Sequence, residues 1–169
     1  TVTKLAEDQA ELLRRDPKKV YQEIEARIRQ ELRSPDKFGE FKKLHILPQG
    51  AHEVADDMDA KLVVLGLDHI YSQEGESPGE VAARNILESR GSSPRIYRNT
   101  VVFLAPDKVR MEELQDSARK HLAWQSIIDE KDRLNLTQAQ VRQAESQKEN
   151  ADSSITAQIS ETYQWLLVP

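Results

Sequence analysis

The chain contains no cysteine. This excludes a disulfide scaffold, thiolate zinc sites and a cysteine nucleophile, and it suits a reducing cytoplasm. Glycine is scarce as well: the six residues stand at 39, 50, 66, 75, 79 and 91, and none belongs to a GxxxxGKS/T or GxGxxG pattern. A phosphate-cradling loop needs such spacing so that backbone N–H groups can approach the anion, so the sequence carries no nucleotide-hydrolysing motif of its own. Aromatic residues make up 5% and are not interleaved with Lys and Arg as a base-stacking platform requires. No apolar run is long enough to span a bilayer, and no signal-peptide pattern is present. The expectation is a cytoplasmic protein without a membrane partner. A dominant charge is also missing. The net charge is −5, from 24 basic and 29 acidic residues, and the two signs are interspersed, whereas a dedicated nucleic-acid binder shows a basic stripe.

What is present fits one domain, or one domain with an appendage, with enough chain to bury a core unaided. Residues 3–14 form a short helical pattern with Leu5, Leu12 and Leu13 as apolar points. Asp16 and Pro17 then open a clearer helix in which Val20, Ile24, Ile28 and Leu32 repeat every four residues, and Ser34-Pro35 ends it. Three apolar runs follow, Leu44-His45-Ile46-Leu47, Leu62-Val63-Val64-Leu65 and Thr100-Val101-Val102-Phe103-Leu104. Their continuous apolar character suits strands covered on both faces, hence a parallel sheet.

Between the second and third runs, Ser77-Pro78-Gly79-Glu80 reads as a capping box, Val81, Ala82, Ile86 and Leu87 as a buried stripe, and Gly91 as a stop. Residues 49–60 read as a short helix or an acidic loop. Asp107 suits the N-cap of a long helix over about 108–131. Thr137-Gln138-Ala139-Gln140 resembles a second capping box, and the helix behind it is nearly all polar, a kind that bridges, protrudes or packs on a partner. The expected fold is α/β: a small, mainly parallel sheet of about three strands flanked by helices, with a long C-terminal helical extension. The expected division is 1–106, an α/β core with N-terminal helices, and 107–169, the helical extension and a closing apolar segment. The chain begins at Thr1 without an initiator methionine and closes on Tyr163-Gln164-Trp165-Leu166-Leu167-Val168-Pro169, which reads as a piece of a longer chain.

Two constellations can carry chemistry. In a parallel sheet the strand ends bring Asp68, His69 and Asp107 toward one edge, where ligand sites of open α/β sheets lie, and their side chains suit a hard divalent cation. The plainer reading makes Asp107 a helix cap, Asp68 a turn residue and His69 a half-exposed loop residue. Arg95, Arg98 and Asn99, beside Tyr97, form a polar-basic cluster ahead of the third strand, able to reach a phosphate, a DNA backbone or an acidic partner, or to serve as local hydrogen-bonders. His45, His52 and His121 show no ligand spacing, and no catalytic nucleophile stands out.

Two strings carry a family resemblance. The first is Arg98-Asn99-Thr100-Val101-Val102-Phe103-Leu104-Ala105-Pro106-Asp107, followed by Glu113-Leu114, Ala118 and His121-Leu122-Ala123-Trp124. The second is Glu161-Thr162-Tyr163-Gln164-Trp165-Leu166-Leu167-Val168-Pro169. Together they resemble an uncharacterised prokaryotic family of AAA-like P-loop ATPases encoded beside DNA methylases and helicases in anti-phage and restriction-like clusters. The resemblance runs from about residue 4 to the end.

In that family the P-loop lies elsewhere in the protein. The resemblance therefore implies ATP and magnesium for the parent protein and no cofactor for this chain. It implies a non-catalytic accessory domain docked on the ATPase core of its own chain, with a DNA methylase or helicase as further partner and DNA reached indirectly. The alternatives are a metal-dependent hydrolase or nuclease using Asp68, His69 and Asp107, and a direct DNA-binding module using Arg95 and Arg98.

Overall fold

A computed structural model describes residues 1–32 and 39–169. The helix stop expected at Ser34-Pro35 lies outside the described residues. In chain order the elements are α1 (Val2–Leu13), α2 (Pro17–Glu31), β1 (Lys43–Ile46), β2 (Lys61–Val64), α3 (Pro78–Glu88), β3 (Val101–Ala105), α4 (Lys108–Asp129), α5 (Gln138–Thr162) and β4 (Trp165–Leu167). Short 3-10 turns occupy Ala51–Glu53 and Arg98–Thr100. The fold is α/β with long C-terminal helices, as the sequence predicts. Strand β1 ends one residue before the apolar run does because Leu47 adopts φ 54°, a left-handed conformation that a strand cannot contain.

The chain divides into two compact units, though not at residue 106. One joins Thr1–Arg27 to Glu112–Ile159, and the other joins Ile28–Met111 to Ser160–Pro169. The N-terminal helices thus group with the helical extension, and the closing segment returns to the sheet. No local pattern marks this return, because it depends on a pairing between residues some sixty positions apart.

The sheet unit has the strand order β1-β2-β3-β4. Strands β1, β2 and β3 are parallel, in a register that aligns Leu44, Leu62 and Val102. The fourth strand is antiparallel to β3 and sets Leu167 beside Phe103 and Trp165 beside Ala105. On one face Val63, Leu65, Val101, Phe103 and Ala105 form a core with Val54 and with Ala83 and Ile86 of α3. Alternation along β2 sends Leu62 and Val64 to the other face, and both are buried. This two-sided burial explains the unbroken apolar run of β2; β1 is half-buried along its length, and β3 alternates buried with half-buried residues.

Helix α3 starts as the sequence predicts, with the Ser77 hydroxyl accepting from the Glu80 N–H at 3.4 Å. Gly79 is required there: a Cβ would come within 2.7 Å of the His69 carbonyl oxygen and 3.1 Å of that of Ile70. The Gly79 N–H donates to the Ile70 carbonyl at 2.8 Å, which seats the 66–71 loop on the start of the helix.

In the helical unit, Val2, Ala6, Trp124, Ile127 and Ala144 form the core, with Leu5, Ile128, Leu134 and Leu136 packed around it. The capping box at the start of α5 is complete. The Gln140 N–H donates to the Thr137 hydroxyl at 3.1 Å, and the Thr137 N–H to the Gln140 side-chain oxygen at 2.9 Å. The polar helix α5 buries a narrow line of Ala144, Ala151, Ile155 and Ile159. Two alanines followed by two isoleucines, at spacings of seven, four and four, define one apolar face, so the helix packs despite its composition.

Candidate functional site

At the C-terminal edge of the parallel strands the structure does not assemble Asp68, His69 and Asp107 into a cation site. The Asp68 side chain is largely exposed, with Oδ1 at 3.8 Å from His69 Nε2. Asp107 is engaged elsewhere. Its Oδ2 accepts from the N–H groups of Val109 and Arg110 at 3.1 and 3.0 Å, capping α4, and its Oδ1 accepts from Trp165 Nε1 at 2.9 Å. Among the described residues no three His, Asp or Glu side chains are placed to hold a metal ion. A carboxylate that caps a helix and binds an indole has few lone pairs left for a cation.

Asp107 is instead the centre of a joint. Its N–H donates to the Thr162 carbonyl at 2.7 Å. The Tyr71 N–H donates to Pro106 O at 2.8 Å and the Lys108 N–H to Tyr71 O at 3.2 Å, while the Tyr71 and Trp165 rings meet with centroids 4.9 Å apart. Nearby, the buried Tyr163 hydroxyl donates to the Leu65 carbonyl at 2.8 Å. The Ala105-Pro106-Asp107 string and the Tyr163-Gln164-Trp165 string are therefore two halves of one junction. The sequence contains both strings but gives no sign that they touch.

The opposite edge of the sheet holds a second polar assembly. Arg95 is 3% exposed, so it does not lie open to a phosphate or DNA backbone as the sequence suggested. Its Nε donates to the Ile86 carbonyl at 2.7 Å. Its terminal nitrogens donate to the carbonyls of Ala55, Val54, Ala51 and Ser89 at 2.8, 3.1, 3.2 and 3.2 Å. Five donors in a planar fork suit such a convergence of carbonyls.

Asp56 continues the assembly by accepting from the Ile96 and Tyr97 N–H groups at 3.0 and 2.8 Å, with Arg90 at 3.4 Å. These backbone bonds hold its carboxyl below the usual range against the opposing effect of burial. Arg98 and Asn99 remain exposed, and Arg98 Nε donates to the Arg95 carbonyl at 3.3 Å.

Beside it, the fully buried Lys61 Nζ reaches the Asp57 and Asp59 carbonyls at 2.9 and 2.7 Å, Thr100 Oγ1 at 3.2 Å and Asp57 Oδ1 at 2.7 Å. Lys43 pairs with the same carboxylate. These two lysines, Lys43 first, drive the Asp57 carboxyl far below its ordinary value. Sequence reading missed Asp56, Asp57 and Lys61 as partners. The available signal was a lysine opening an apolar run four residues after an acid pair.

The helical unit contains a polar hollow of about 570 Å³ lined by Arg27, His121, Lys148, Asp152 and neighbouring acids. Arg27 donates from Nε to Glu23 at 3.1 Å, pairs with Asp152, and places Nη2 at 3.1 Å from His121 Nε2. A guanidinium only donates, so His121 accepts at Nε2 and is neutral. Burial, then Arg27, lowers its pKa, while Glu23, the Lys148 carbonyl and Asp152 act the other way.

The neutral form is thus favoured in the folded state. The associated stability is complete above about pH 6.5 and declines as the pH falls below that value. Acidification from about pH 7.5 to 5.5 is expected to lower the thermal midpoint, and His121→Gln, which keeps an acceptor for Arg27, to reduce that dependence. Parallel melting curves of the two proteins provide the check.

No protein family, curated protein or solved structure matches the chain. Among the described residues no helix is long and apolar enough to cross a membrane.

Proposed function

We propose that this chain is a non-catalytic docking module of a larger prokaryotic P-loop ATPase of the defence-associated kind that its two strings resemble. In that setting it joins the ATPase core to a DNA-modifying partner such as a methylase or helicase. The observation that carries the reading is the use of the strings' polar groups. Asp107 is bound to Trp165 and to the start of α4, Tyr163 to the Leu65 carbonyl, and Thr100 to the Lys61–Asp57 assembly. Residues that form such a joint define a module and its shape rather than a reaction.

ATP, and by resemblance its magnesium, belongs to the parent protein; nothing in this chain is assigned to bind it. The test is an assay of ATP hydrolysis and of duplex cleavage by the purified chain with magnesium or manganese. Turnover at background is the expected result. Metal-dependent hydrolysis that disappears in Asp68→Asn would overturn the proposal in favour of a hydrolase.

A further inference from the structure

The edge of the sheet unit built on Arg95 exposes apolar side chains on backbone that is fixed. Met58 is 74% exposed, Ile96 67% and Tyr97 39%. Their loops are stitched together: Asp56 holds the Ile96 and Tyr97 N–H groups, the Thr100 hydroxyl bonds the Asp57 carbonyl at 3.2 Å, and Arg95 gathers the Ala51, Val54 and Ala55 carbonyls.

The aspartates of these loops are already answered, Asp56 by Arg90, Asp57 by Lys61 and Lys43, and Asp59 by Lys43, while Glu53 accepts from the Gln49 N–H at 2.8 Å. Two cations are not. Arg98 touches only the Arg95 carbonyl, and Lys42, whose N–H is bonded to the Ala60 carbonyl at 3.0 Å, is also exposed; among the described residues neither has an acidic partner. Exposed aromatic and aliphatic side chains with an adjacent arginine have the composition of a binding hot spot, and because the loops that carry them are already bonded in place, little backbone entropy remains to be lost on association.

We infer that this edge docks a protein segment combining an apolar anchor with acidic neighbours. The inference rests on the docking role proposed above and names its surface and the chemistry of its partner. The anchor covers Met58, Ile96 and Tyr97, and the acids face Arg98 and Lys42. A nucleic-acid backbone would satisfy the cations and gain nothing from Met58 and Ile96, so protein is the better fit.

The test is amide chemical-shift mapping on the whole chain. The probe is a short synthetic peptide with a central Leu-Phe pair between runs of Asp and Glu. The comparators are the same peptide with Lys in place of every acid, and a short DNA duplex. The acidic peptide is expected to move the amides of 56–60 and 96–100, and the lysine peptide to leave them unchanged.

Ile96→Asp, an exposed position that leaves the fold intact, is expected to weaken binding by about tenfold or more, and Arg98→Glu to weaken it and admit the lysine peptide. No movement at millimolar peptide, or equal movement by the duplex, would overturn the inference. Shifts confined to another face would also overturn this surface while leaving the docking role standing. ATP hydrolysis by the chain would remove the docking role whatever the shift map shows.

Discussion

Arg95→Met is expected to cost about 3–5 kcal/mol of stability, more than any surface substitution in this chain. The side chain is buried and donates to five carbonyls from three segments: the 51–55 turn, the end of α3 and the Ser89 turn. Methionine fills part of the volume but leaves those oxygens without their donor, two of them at buried bonds, and each such buried loss costs about 1–3 kcal/mol. Burial lowers the arginine's own pKa, with Asp56 opposing that effect. The group remains charged at neutral pH because its unperturbed value is so high. Arg95→Lys is expected to recover little, since an ammonium cannot reproduce a planar fork. Urea unfolding followed by backbone circular dichroism provides the measure, and a loss below about 1 kcal/mol for Met would show that the carbonyls find other donors.

The second large effect belongs to Asp107. Replacement by alanine removes the cap of α4, a contribution of about 1 kcal/mol, and leaves the Trp165 indole N–H without its charged acceptor, a further loss of about 1–3 kcal/mol. The sum, about 2–4 kcal/mol, is expected as a lower urea midpoint accompanied by a change in Trp165 fluorescence. Its pH dependence has a definite sign. Burial acts to raise the Asp107 pKa, but bonds from Trp165, from the Arg110 and Val109 N–H groups and from Gln164 outweigh it, and the native value is depressed. The contribution is therefore full above about pH 4 and is lost as the pH falls through the native value. Asp107→Asn is expected to keep part of the cap and to flatten this acid limb. An unchanged acid limb in the asparagine protein would remove Asp107 as its source.

The elements with strong local grammar were legible in the sequence. Ser77-Pro78 and Thr137 opened helices because a hydroxyl followed three residues later by Glu or Gln satisfies free N–H groups at once. The three parallel strands were readable because their runs are largely apolar, β2 being buried on both faces and β1 and β3 at least half-buried. Strand β4 was not, since three residues with no turn around them carry no period. Its existence depends on Phe103 and Ala105 having a free side.

The candidate sites failed for a related reason. Asp107 and Arg95 stand out in the sequence as polar groups beside a strand, but sequence does not show which acceptors and donors surround a side chain. Here the surroundings are Trp165, two helical N–H groups and five carbonyls, all brought in by tertiary structure. Conversely, no sequence pattern marks Ile96 and Met58 as the apolar residues that the fold leaves outside.

The sheet unit is interrupted: the chain leaves it after Met111 and returns at Ser160, with the helical unit between. During synthesis this has a cost in time. At about 5–20 residues per second, β3 emerges several seconds before β4 exists, and throughout that interval Phe103 and Ala105 face an unpaired strand edge. Until β4 is translated, the edge of β3 stays open to pairing with other strands, and β4 is the strand that covers it.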